Sequence, residues 1–407
     1  MIDIKVLREN PELVQDSVDR RGLKLSIKDI TSLDQKRVVL IKQTEELRSK
    51  LKIDGKPSDE QLQKLQATKA EFESVSQELE RLSVEYSELL SQVPNLIADT
   101  TPDGGEENNR EEKRWGQSTV DFDAKDHVEL SQMHDLLNFE AGAKVAGAKF
   151  YYMKTKAVLL WRAVTALVQD ILVEEGFELM SVPHMVNNNI AEGTGFLPKG
   201  EENQNYVDSE QGLVMIATAE IPLTGYHKDD ELKVDKPINY AGISPCYRLE
   251  AGTYGKFNKG LYRVHQFDKI EMYSFARPDQ SEEQLQKILK IEEKICQALE
   301  LPYRVVRIAA GDLSAPAYKK YDIEYYSPAE KEYRELTSCS NCTDYQSRNL
   351  NIRHRNSEGK LEFVHTLNGT AATSSRTIIA LLENHQKLNG EITIPGALQK
   401  YYGADKL

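Results

Sequence analysis

Cys246–Glu250 reads Cys-Tyr-Arg-Leu-Glu, Arg263–Phe267 reads Arg-Val-His-Gln-Phe, and Lys269–Glu271 follows as Lys-Ile-Glu. We interpret these stretches as two neighbouring antiparallel strands, whose two arginines can contact phosphate oxygens in fork geometry. Alternate residues of a strand share one face, so the phenylalanine, the lysine and the last glutamate point the same way, and the phenylalanine can cover a purine ring. The pattern therefore predicts a nucleotide site, with residues 251–260 as a mobile loop over the phosphates.

Length and composition indicate a soluble protein with more than one domain. The chain has 407 residues and an apolar share of 40%, enough for two or more domains and a large core. A formal net charge of −13 argues against a surface that coats nucleic acid, so any RNA contact must be local. No run of about eighteen apolar residues occurs and the N-terminus lacks the apolar segment of a signal peptide. We therefore expect a cytoplasmic protein without membrane contact.

The cysteines predict neither a disulfide framework nor a metal centre. Four cysteines are too few for such a framework in a chain of this length. Cys339 and Cys342 have the spacing of half a zinc site, but no second pair with that spacing exists. We therefore expect reduced, partly buried thiols and no zinc.

Apolar residues at alternating steps of three and four predict helices over about 31–52 and 57–93, separated by the helix-breaking stretch Asp54–Ser58. The economical interpretation is an antiparallel helical hairpin with coiled-coil packing. Residues 31–56 hold seven Lys or Arg against four acids, whereas residues 57–93 hold three against eight. The first helix would be the face offered to a phosphate backbone, and a solvated coiled-coil exterior is the alternative. The basic residues chosen as candidates are Lys36, Arg37 and Lys42.

The rest of the chain predicts an α+β fold. Strand-like segments are not separated by regular helices of similar length, which favours a mostly antiparallel sheet flanked by helices. Neither a P-loop nor a dinucleotide fingerprint occurs. We predict a helical arm over 1–100, a polar linker over 101–125 that is rich in glycine and acids, and a catalytic domain over 126–407.

Several motifs carry a family resemblance. The pattern of Cys246–Glu250, Arg263–Phe267 and Lys269–Glu271 resembles the second signature motif of class II aminoacyl-tRNA synthetases. Tyr247–Gly252 followed by His265–Glu271 resembles seryl-tRNA synthetases in particular. Gly176–Val186 resembles the first motif, which builds the dimer interface in that family. Leu367–Asn384 resembles the third motif, in which a turn of small residues precedes a helix that an arginine opens. Met1–Pro11 is similar to the opening of the family, so the resemblance covers nearly the whole chain.

The resemblance implies the activity of serine–tRNA ligases, which are ATP-dependent. L-serine and ATP give seryl-adenylate and pyrophosphate, and the seryl group then moves to the 3′ end of serine tRNA, or of selenocysteine tRNA where that is present. It also implies a homodimer whose helical arm grips the tRNA outside the anticodon.

The same resemblance implies roles for individual residues. Residues at ATP would be Arg248, Leu249, Glu250, Arg263, Phe267, Glu335, Leu336, Thr337, Ser338 and Arg376. Residues at serine would be Thr218, Ala219, Glu220, Glu271 and Thr370. The residues closest to the chemistry would be Arg248, Glu271 and Arg376. Glu335 and Ser338 would hold Mg²⁺, a cation that prefers oxygen ligands.

Three alternatives stay open at this point. An amino acid ligase of the same fold that acts on a carrier protein would keep the motifs but usually lacks the arm. A non-catalytic synthetase paralogue would be expected to lose charged motif residues, and none is lost here. A structural coiled-coil protein would not need the roughly 300 residues that follow the hairpin.

Overall fold

The computed structural model describes residues 1–52, 58–196, 205–250 and 259–407. The described chain divides into two compact units, Met1–Leu96 and Ile97–Leu407. Most of the predicted turn at Asp54–Ser58 and of the predicted loop at 251–260 lies outside the described residues. Among those that are described, no helix is both long and apolar enough to cross a membrane.

The N-terminal unit is helical. Its elements are α1 (Ile4–Glu9), α2 (Pro11–Arg20), α3 (Ile27–Lys50) and α4 (Asp59–Ser91). The helix α3 begins earlier than the apolar repeat predicts, because the Ser26 side chain accepts a hydrogen bond from the Asp29 amide and caps the first turn. Ser58 and Gln61 form a reciprocal capping box at the start of α4. The two long helices pack along the apolar stripe and form the predicted hairpin.

An eight-stranded sheet organises the C-terminal unit. Its strands, in spatial order, are β1 (Arg110–Trp115), β11 (Tyr303–Arg307), β12 (Lys319–Ser327), β13 (Glu332–Asn341), β16 (His365–Thr373), β10 (Gln266–Ala276), β9 (Ile238–Tyr247) and β4 (Glu178–Ser181). Every adjacent pair is antiparallel except β4 with β9. The predicted α+β class with a mostly antiparallel sheet is therefore confirmed.

Helices and short strands surround this sheet. The helices are α5 (His127–His134), α6 (Phe139–Ala146), α7 (Thr155–Glu174), α8 (Asn188–Thr194), α9 (Glu220–Gly225), α10 (Ser281–Ala298), α11 (Tyr345–Leu350), α12 (Arg376–Asn384) and α13 (Gly396–Tyr402). The short strands are β2 (Leu137–Asn138), β3 (Tyr152–Met153), β5 (Met185–Asn187), β6 (Val207–Asp208), β7 (Leu213–Met215), β8 (Glu231–Leu232), β14 (Arg353–Arg355) and β15 (Leu361–Phe363). The largest apolar core lies between the sheet and the helices α7, α10 and α12.

Two segments differ from the sequence prediction. The stretch 101–125 was expected to be a linker, but within it β1 forms the edge of the large sheet and pairs with β11. All six side chains of β1 are exposed, so no apolar alternation marks this strand, and its charges suit an edge that must not pair further. The small residues from Leu367 onward were expected to form a turn, yet they belong to β16.

Gly369 explains why small residues are needed in β16. A Cβ atom at this position would lie 2.3 Å from Ile288 Cγ2 and 3.0 Å from Glu292 Oε1, both on α10. Ile288 is fully buried and cannot move aside. The helix therefore packs directly on the strand backbone, and this contact sets how closely α10 approaches the centre of the sheet.

We expect Gly369→Ala to destabilise the C-terminal unit by about 1–3 kcal/mol, because the added methyl overpacks the α10 contact. Both tryptophans of the chain, Trp115 and Trp161, lie in this unit, so tryptophan fluorescence during urea unfolding reports on it. Gly396→Ala is the matched control, since its nearest neighbour would be Glu300 Oε1 at an ordinary 3.5 Å. Equal midpoints for the Gly369→Ala variant and the parent would contradict this account of the packing.

Candidate active site

A cavity of about 300 Å³ opens on the face of the sheet opposite α10. The predicted ATP residues lie around it, with the exception of Leu249. Those that line it are Arg248, Glu250, Arg263, Phe267, Glu335, Leu336, Thr337, Ser338 and Arg376. The cavity therefore brings together side chains that are up to 128 positions apart in the chain (Arg376 minus Arg248).

Five further residues line the cavity that the sequence motifs do not assign to the site. They are Tyr262, Val264, Lys269, Thr373 and Ser375. The sequence could have identified Lys269, because strand alternation places it on the same face as Phe267 and Glu271. It could not have identified Thr373, because the orientation of that residue depends on an irregularity of β16 described below.

The two arginines of the second motif flank the strand pair β9 and β10 at its open end. Arg248 follows the last residue of β9, and its amide donates to His265 O at 2.9 Å. Its guanidinium lies 5.1 Å from the centre of the Phe267 ring. Arg263 precedes β10 and donates from Nη1 to Glu250 Oε2 at 3.0 Å. Both cations thus project beyond the strand ends, and Phe267 provides an aromatic surface between them and the sheet.

Arg376 and Glu335 form an ion pair on the opposite side of the cavity. Arg376 is the first residue of α12, as predicted, and its Nη1 lies 2.9 Å from Glu335 Oε1. Desolvation favours the protonated form of Glu335, but the charges of Arg376 and Lys320 outweigh it and lower its pKa to about 2. The side chain remains 40% exposed. An ionised carboxylate is therefore available to a cation in the cavity.

Two β-bulges orient the residues of β13 and β16. Ile323 pairs with Thr337, but the next residue of β12, Glu324, pairs with Glu335, so Leu336 is an extra residue. Without this extra residue, side chains three apart would point to opposite faces. With it, Glu335 and Ser338 share the cavity face.

The opposite face receives the alternate residues of β13. Thr337 Oγ1 donates to Glu292 Oε2 on α10 at 3.2 Å, away from the predicted Mg²⁺ pair. In β16 the extra residue is Ala371, which places Thr370 and Thr373 on one face, opposite Glu271 and Lys269 respectively. Each bulge therefore redirects a pair of cavity residues.

The predicted serine residues form a buried cluster beside the cavity. Thr218 and Ala219 lead into α9, whose first residue is Glu220. Lys269 donates to Thr218 Oγ1 at 3.2 Å and forms an ion pair with Glu271, which is 1% exposed. Burial raises the pKa of Glu271, although Lys269 opposes this shift. Glu271 thus has a cationic partner in this structure, Lys269. A ligand hydroxyl that bound to the Glu271 carboxylate would share this carboxylate with Lys269.

Glu220 is a second buried acid in this cluster. Its Oε1 accepts hydrogen bonds from Gln346 Nε2 at 2.7 Å and from Asn368 Nδ2 at 3.0 Å. Burial, and then the charge of Glu271, raise the pKa of Glu220 to about 7. Two neutral amides position this carboxyl without neutralising it.

Metal-binding capacity rests on few residues. Within the described parts of the chain, no three His, Cys, Asp or Glu side chains lie together as a metal site. Cys339 and Cys342 are buried and form no disulfide. Glu335 and Ser338 fit Mg²⁺ because one is an ionised carboxylate, the other a hydroxyl on the same face, and Mg²⁺ commonly takes its remaining ligands from water and phosphate.

The candidate tRNA residues on α3 are not equivalent. Lys36 and Lys42 are exposed. Arg37 instead donates to the buried Asp34 at 3.2 Å and lies over the Tyr86 ring at 4.8 Å. Asp34 also accepts a hydrogen bond from Arg8 Nε at 2.6 Å. Arg37 is therefore engaged in holding α3 against α4, a role that the charge count could not reveal.

Comparison with known proteins matches both units. Residues 1–97 match the seryl-tRNA synthetase N-terminal domain, and residues 204–385 match the tRNA synthetase class II core domain (G, H, P, S and T). The chain is 47% identical to the serine–tRNA ligase of Dictyoglomus turgidum over 421 aligned positions, which cover 100% of this chain and 99% of that protein.

Solved structures agree along the whole chain. The seryl-tRNA synthetase of Pyrococcus horikoshii complexed with ATP has a TM-score of 0.91 and 36% identity, covering 100% of this chain and 99% of the other. The cytoplasmic serine–tRNA ligase of Naegleria fowleri in complex with AMP has a TM-score of 0.87 and 30% identity, covering 100% and 98%. Sequence identity and backbone similarity that both extend over the full length, helical arm included, show that this chain belongs to the seryl-tRNA synthetase family.

Proposed function

We propose that this protein activates L-serine with ATP and transfers the seryl group to the 3′ end of serine tRNA. One observation carries the proposal: the cavity has cations on two sides, an aromatic surface at Phe267, and buried carboxyl groups beside it. Carboxylate attack on a phosphate needs positioning and charge neutralisation more than it needs a strong base. The cavity supplies these two things.

The ATP half of the reaction uses the cations. Arg248 holds the α-phosphate and the carboxylate of serine, so that the two reacting groups meet beside one guanidinium. Arg263 and Arg376 hold the γ-phosphate end. Phe267 stacks on adenine and Glu250 contacts its edge, which requires Arg248 to leave the ring face that it covers in this structure. Pyrophosphate then leaves as the bond between the α- and β-phosphates breaks.

Mg²⁺, held by Glu335 and Ser338, would neutralise charge on the ATP phosphates when bound. The low pKa of Glu335 keeps this ligand ionised throughout the physiological range. Arg376 shares the carboxylate at 2.9 Å and would keep it oriented toward the phosphates.

The serine half of the reaction uses the buried acids. Glu220 holds the ammonium group, and Glu271 with Thr370 contacts the hydroxyl. Alanine would leave the Glu271 carboxylate without its ligand hydroxyl, a loss that can give discrimination of about 10⁴ or more. Thr218 and Ala219, which immediately precede α9, would pack beside the bound serine.

The tRNA is held by the exposed basic residues of α3, of which we retain Lys36 and Lys42. Selenocysteine tRNA would be charged by the same route where it is present.

We further propose a homodimer, because α7, which precedes the first-motif strand, exposes Val158 and Val173. Charging of tRNA for translation places the protein in the cytoplasm.

The decisive test is ATP–pyrophosphate exchange with each of the twenty amino acids, followed by charging of total tRNA. We expect exchange with serine alone and charging of serine tRNA. Exchange with serine but transfer only to a carrier protein would favour the alternative ligase activity. Absence of any exchange by the folded protein would favour the non-catalytic alternative.

The raised pKa of Glu220 predicts a pH dependence for serine. Below pH 7 this carboxyl becomes protonated and loses the charge that holds the ammonium group, so kcat/KM for serine should fall about tenfold per pH unit. The charged groups facing Glu220 are Glu271, which raises its pKa, and Lys269, which lowers it. Steady-state exchange between pH 5.5 and 8.5 measures the profile.

The control is Glu220→Gln, which keeps an acceptor for the amides of Gln346 and Asn368. This variant should show kcat/KM for serine reduced about 100-fold at pH 8, as for truncation of a buried charge contact, and little slope below pH 7. If kcat/KM for serine did not fall below pH 7 in the parent, or fell equally in the variant, Glu220 would not be the residue that binds the ammonium group.

Charge reversal on the arm should separate tRNA binding from adenylation. The double variant Lys36→Glu, Lys42→Glu should raise KM for tRNA at least about tenfold and reduce its salt dependence, because phosphate contacts release counterions. Serine-dependent pyrophosphate exchange should stay unchanged. Arg37 is left in place, since its reversal would disturb the packing at Asp34.

The matched control is Lys64→Glu, Lys69→Glu, with the same change of net charge on exposed residues of α4. Only a small rise in KM for tRNA is expected there. If both double variants weakened tRNA binding equally, the effect would come from net charge, and α3 would lose its assignment as the binding face.

A further inference from the structure

A buried hydrogen-bond network lies behind the cavity and joins four segments of the C-terminal unit. At its centre is Glu383 of α12, which is 0% exposed. His127, the first residue of α5, directs its Nδ1 to Glu383 Oε1 at 3.1 Å, and its amide donates to the same oxygen at 3.2 Å. Ser327, at the end of β12, donates to Glu383 Oε2 at 2.6 Å. The fourth segment enters through the Leu261 amide, which donates to His127 Nε2 at 3.2 Å.

The partners of His127 determine which ring nitrogen carries the proton. A backbone amide can only donate, so Nε2 must accept from Leu261, and the proton is on Nδ1, where it is donated to Glu383. Both oxygens of Glu383 and both ring nitrogens then have partners. A buried network that is satisfied in this way is stiff, because moving any member leaves a buried polar group unpaired.

The chain at residues 260–262 is pressed against the imidazole. Gly260 has φ +61°, and a Cβ atom there would lie 2.1 Å from His127 Nε2, so only glycine allows this approach. The Tyr262 ring stands perpendicular to that of His127 at 5.3 Å, and its hydroxyl lies 2.8 Å from that of Tyr325. The segment is therefore held by its backbone and by a side chain.

This segment leads directly into the cavity. Tyr262 and Arg263 line it, and Arg376, on the other side, opens the same helix that carries Glu383 two turns later. The path Leu261, His127, Glu383 thus links the two cationic sides of the cavity through hydrogen bonds. None of these three side chains lines the cavity.

We infer that His127 is a positioning residue: it fixes the Leu261 backbone to α12 and so sets the position of Arg263 relative to Arg376 for the phosphates of ATP. The inference rests on the proposed binding of ATP in this cavity. Its specific content is that the Nε2 contact with Leu261 matters for ATP. The Nδ1 contact with Glu383 mainly stabilises the unit, because the His127 amide also donates to Glu383 and keeps α5 joined to α12 when Nδ1 is lost. A purely structural histidine would make no such distinction.

Two substitutions separate the contacts. In His127→Asn, the amide nitrogen can replace Nδ1 and donate to Glu383, but no atom reaches the Leu261 amide. In His127→Gln, the side-chain oxygen can replace Nε2 and accept from Leu261, but the donor to Glu383 is lost. Each variant leaves one buried partner unsatisfied, so both should lose stability by similar amounts.

Kinetics and ATP binding should differ between them. In serine-dependent pyrophosphate exchange, His127→Asn should raise KM for ATP about tenfold, as for loss of one buried hydrogen bond, with KM for serine within about twofold of the parent. Calorimetry should show the same weakening of ATP binding. His127→Gln should keep both constants near those of the parent. Ser274→Ala, which removes buried hydrogen bonds to Asn239 and Gln284 elsewhere in the unit, should lose stability without changing KM for ATP.

Equal changes in KM for ATP in the Asn and Gln variants, or changes that follow unfolding midpoints across all three variants, would overturn the inference. Hydrogen exchange of the parent provides a second measurement that needs no variant. The Leu261 amide should be as protected as the central residues of β10 without ATP, and rapid exchange there would overturn the inference as well. If the parent itself showed no serine-dependent pyrophosphate exchange, the proposed function would fail instead. The hydrogen-exchange rate of the Leu261 amide would still show whether His127 holds this backbone segment.

Discussion

The pairing of β10 with β16 at the centre of the sheet is the constraint on which the active site depends. Because α10 packs directly on Gly369, one face of this pair is filled by the core. The strand side chains that line the cavity must then project from the other face. Regular alternation of side chains along β13 cannot place both Glu335 and Ser338 on the cavity face, because the two residues are three positions apart. The bulge at Leu336 provides the extra residue, and its position beside the cavity agrees with the general use of bulges to redirect functional side chains.

The charges of the site follow from how each one is paired. Glu335 is partly exposed and faces Arg376, so it stays ionised and suits a cation. Glu220 is buried against two neutral amides, which donate to its Oε1 without supplying a countercharge, and its pKa rises to about 7. The surroundings of these two acids thus shift their pKa values in opposite directions. Lys269 prevents the buried Glu271 from adding a second uncompensated charge.

The helical unit shows how charge counting can mislead at single positions. The basic excess of residues 31–56 is real, but Arg37 is oriented inward toward Asp34 and Tyr86. A helix of 3.6 residues per turn places neighbours in sequence on different faces, so Lys36 is exposed while Arg37 packs. Desolvation opposes ionisation of Asp34, yet hydrogen bonds from Arg8 and Arg37 lower its pKa overall. The role of the helix and the role of each basic residue on it are therefore separate questions.

Sequence alone determined the family, the α+β class and the helical hairpin, because these rest on local periodicity and on motifs whose residues are close in the chain. Nine of the ten residues that the motifs predict at ATP line the cavity, which has six further lining residues. It could not find the strand Arg110–Trp115, whose exposed charges show no alternation. Nor could it find the bulges, since an extra residue exists only relative to a paired strand. Tertiary structure alone brought His127 to Glu383 across 256 positions of the chain. Contacts of that kind depend on how the helices close over the sheet, and local sequence carries no record of them.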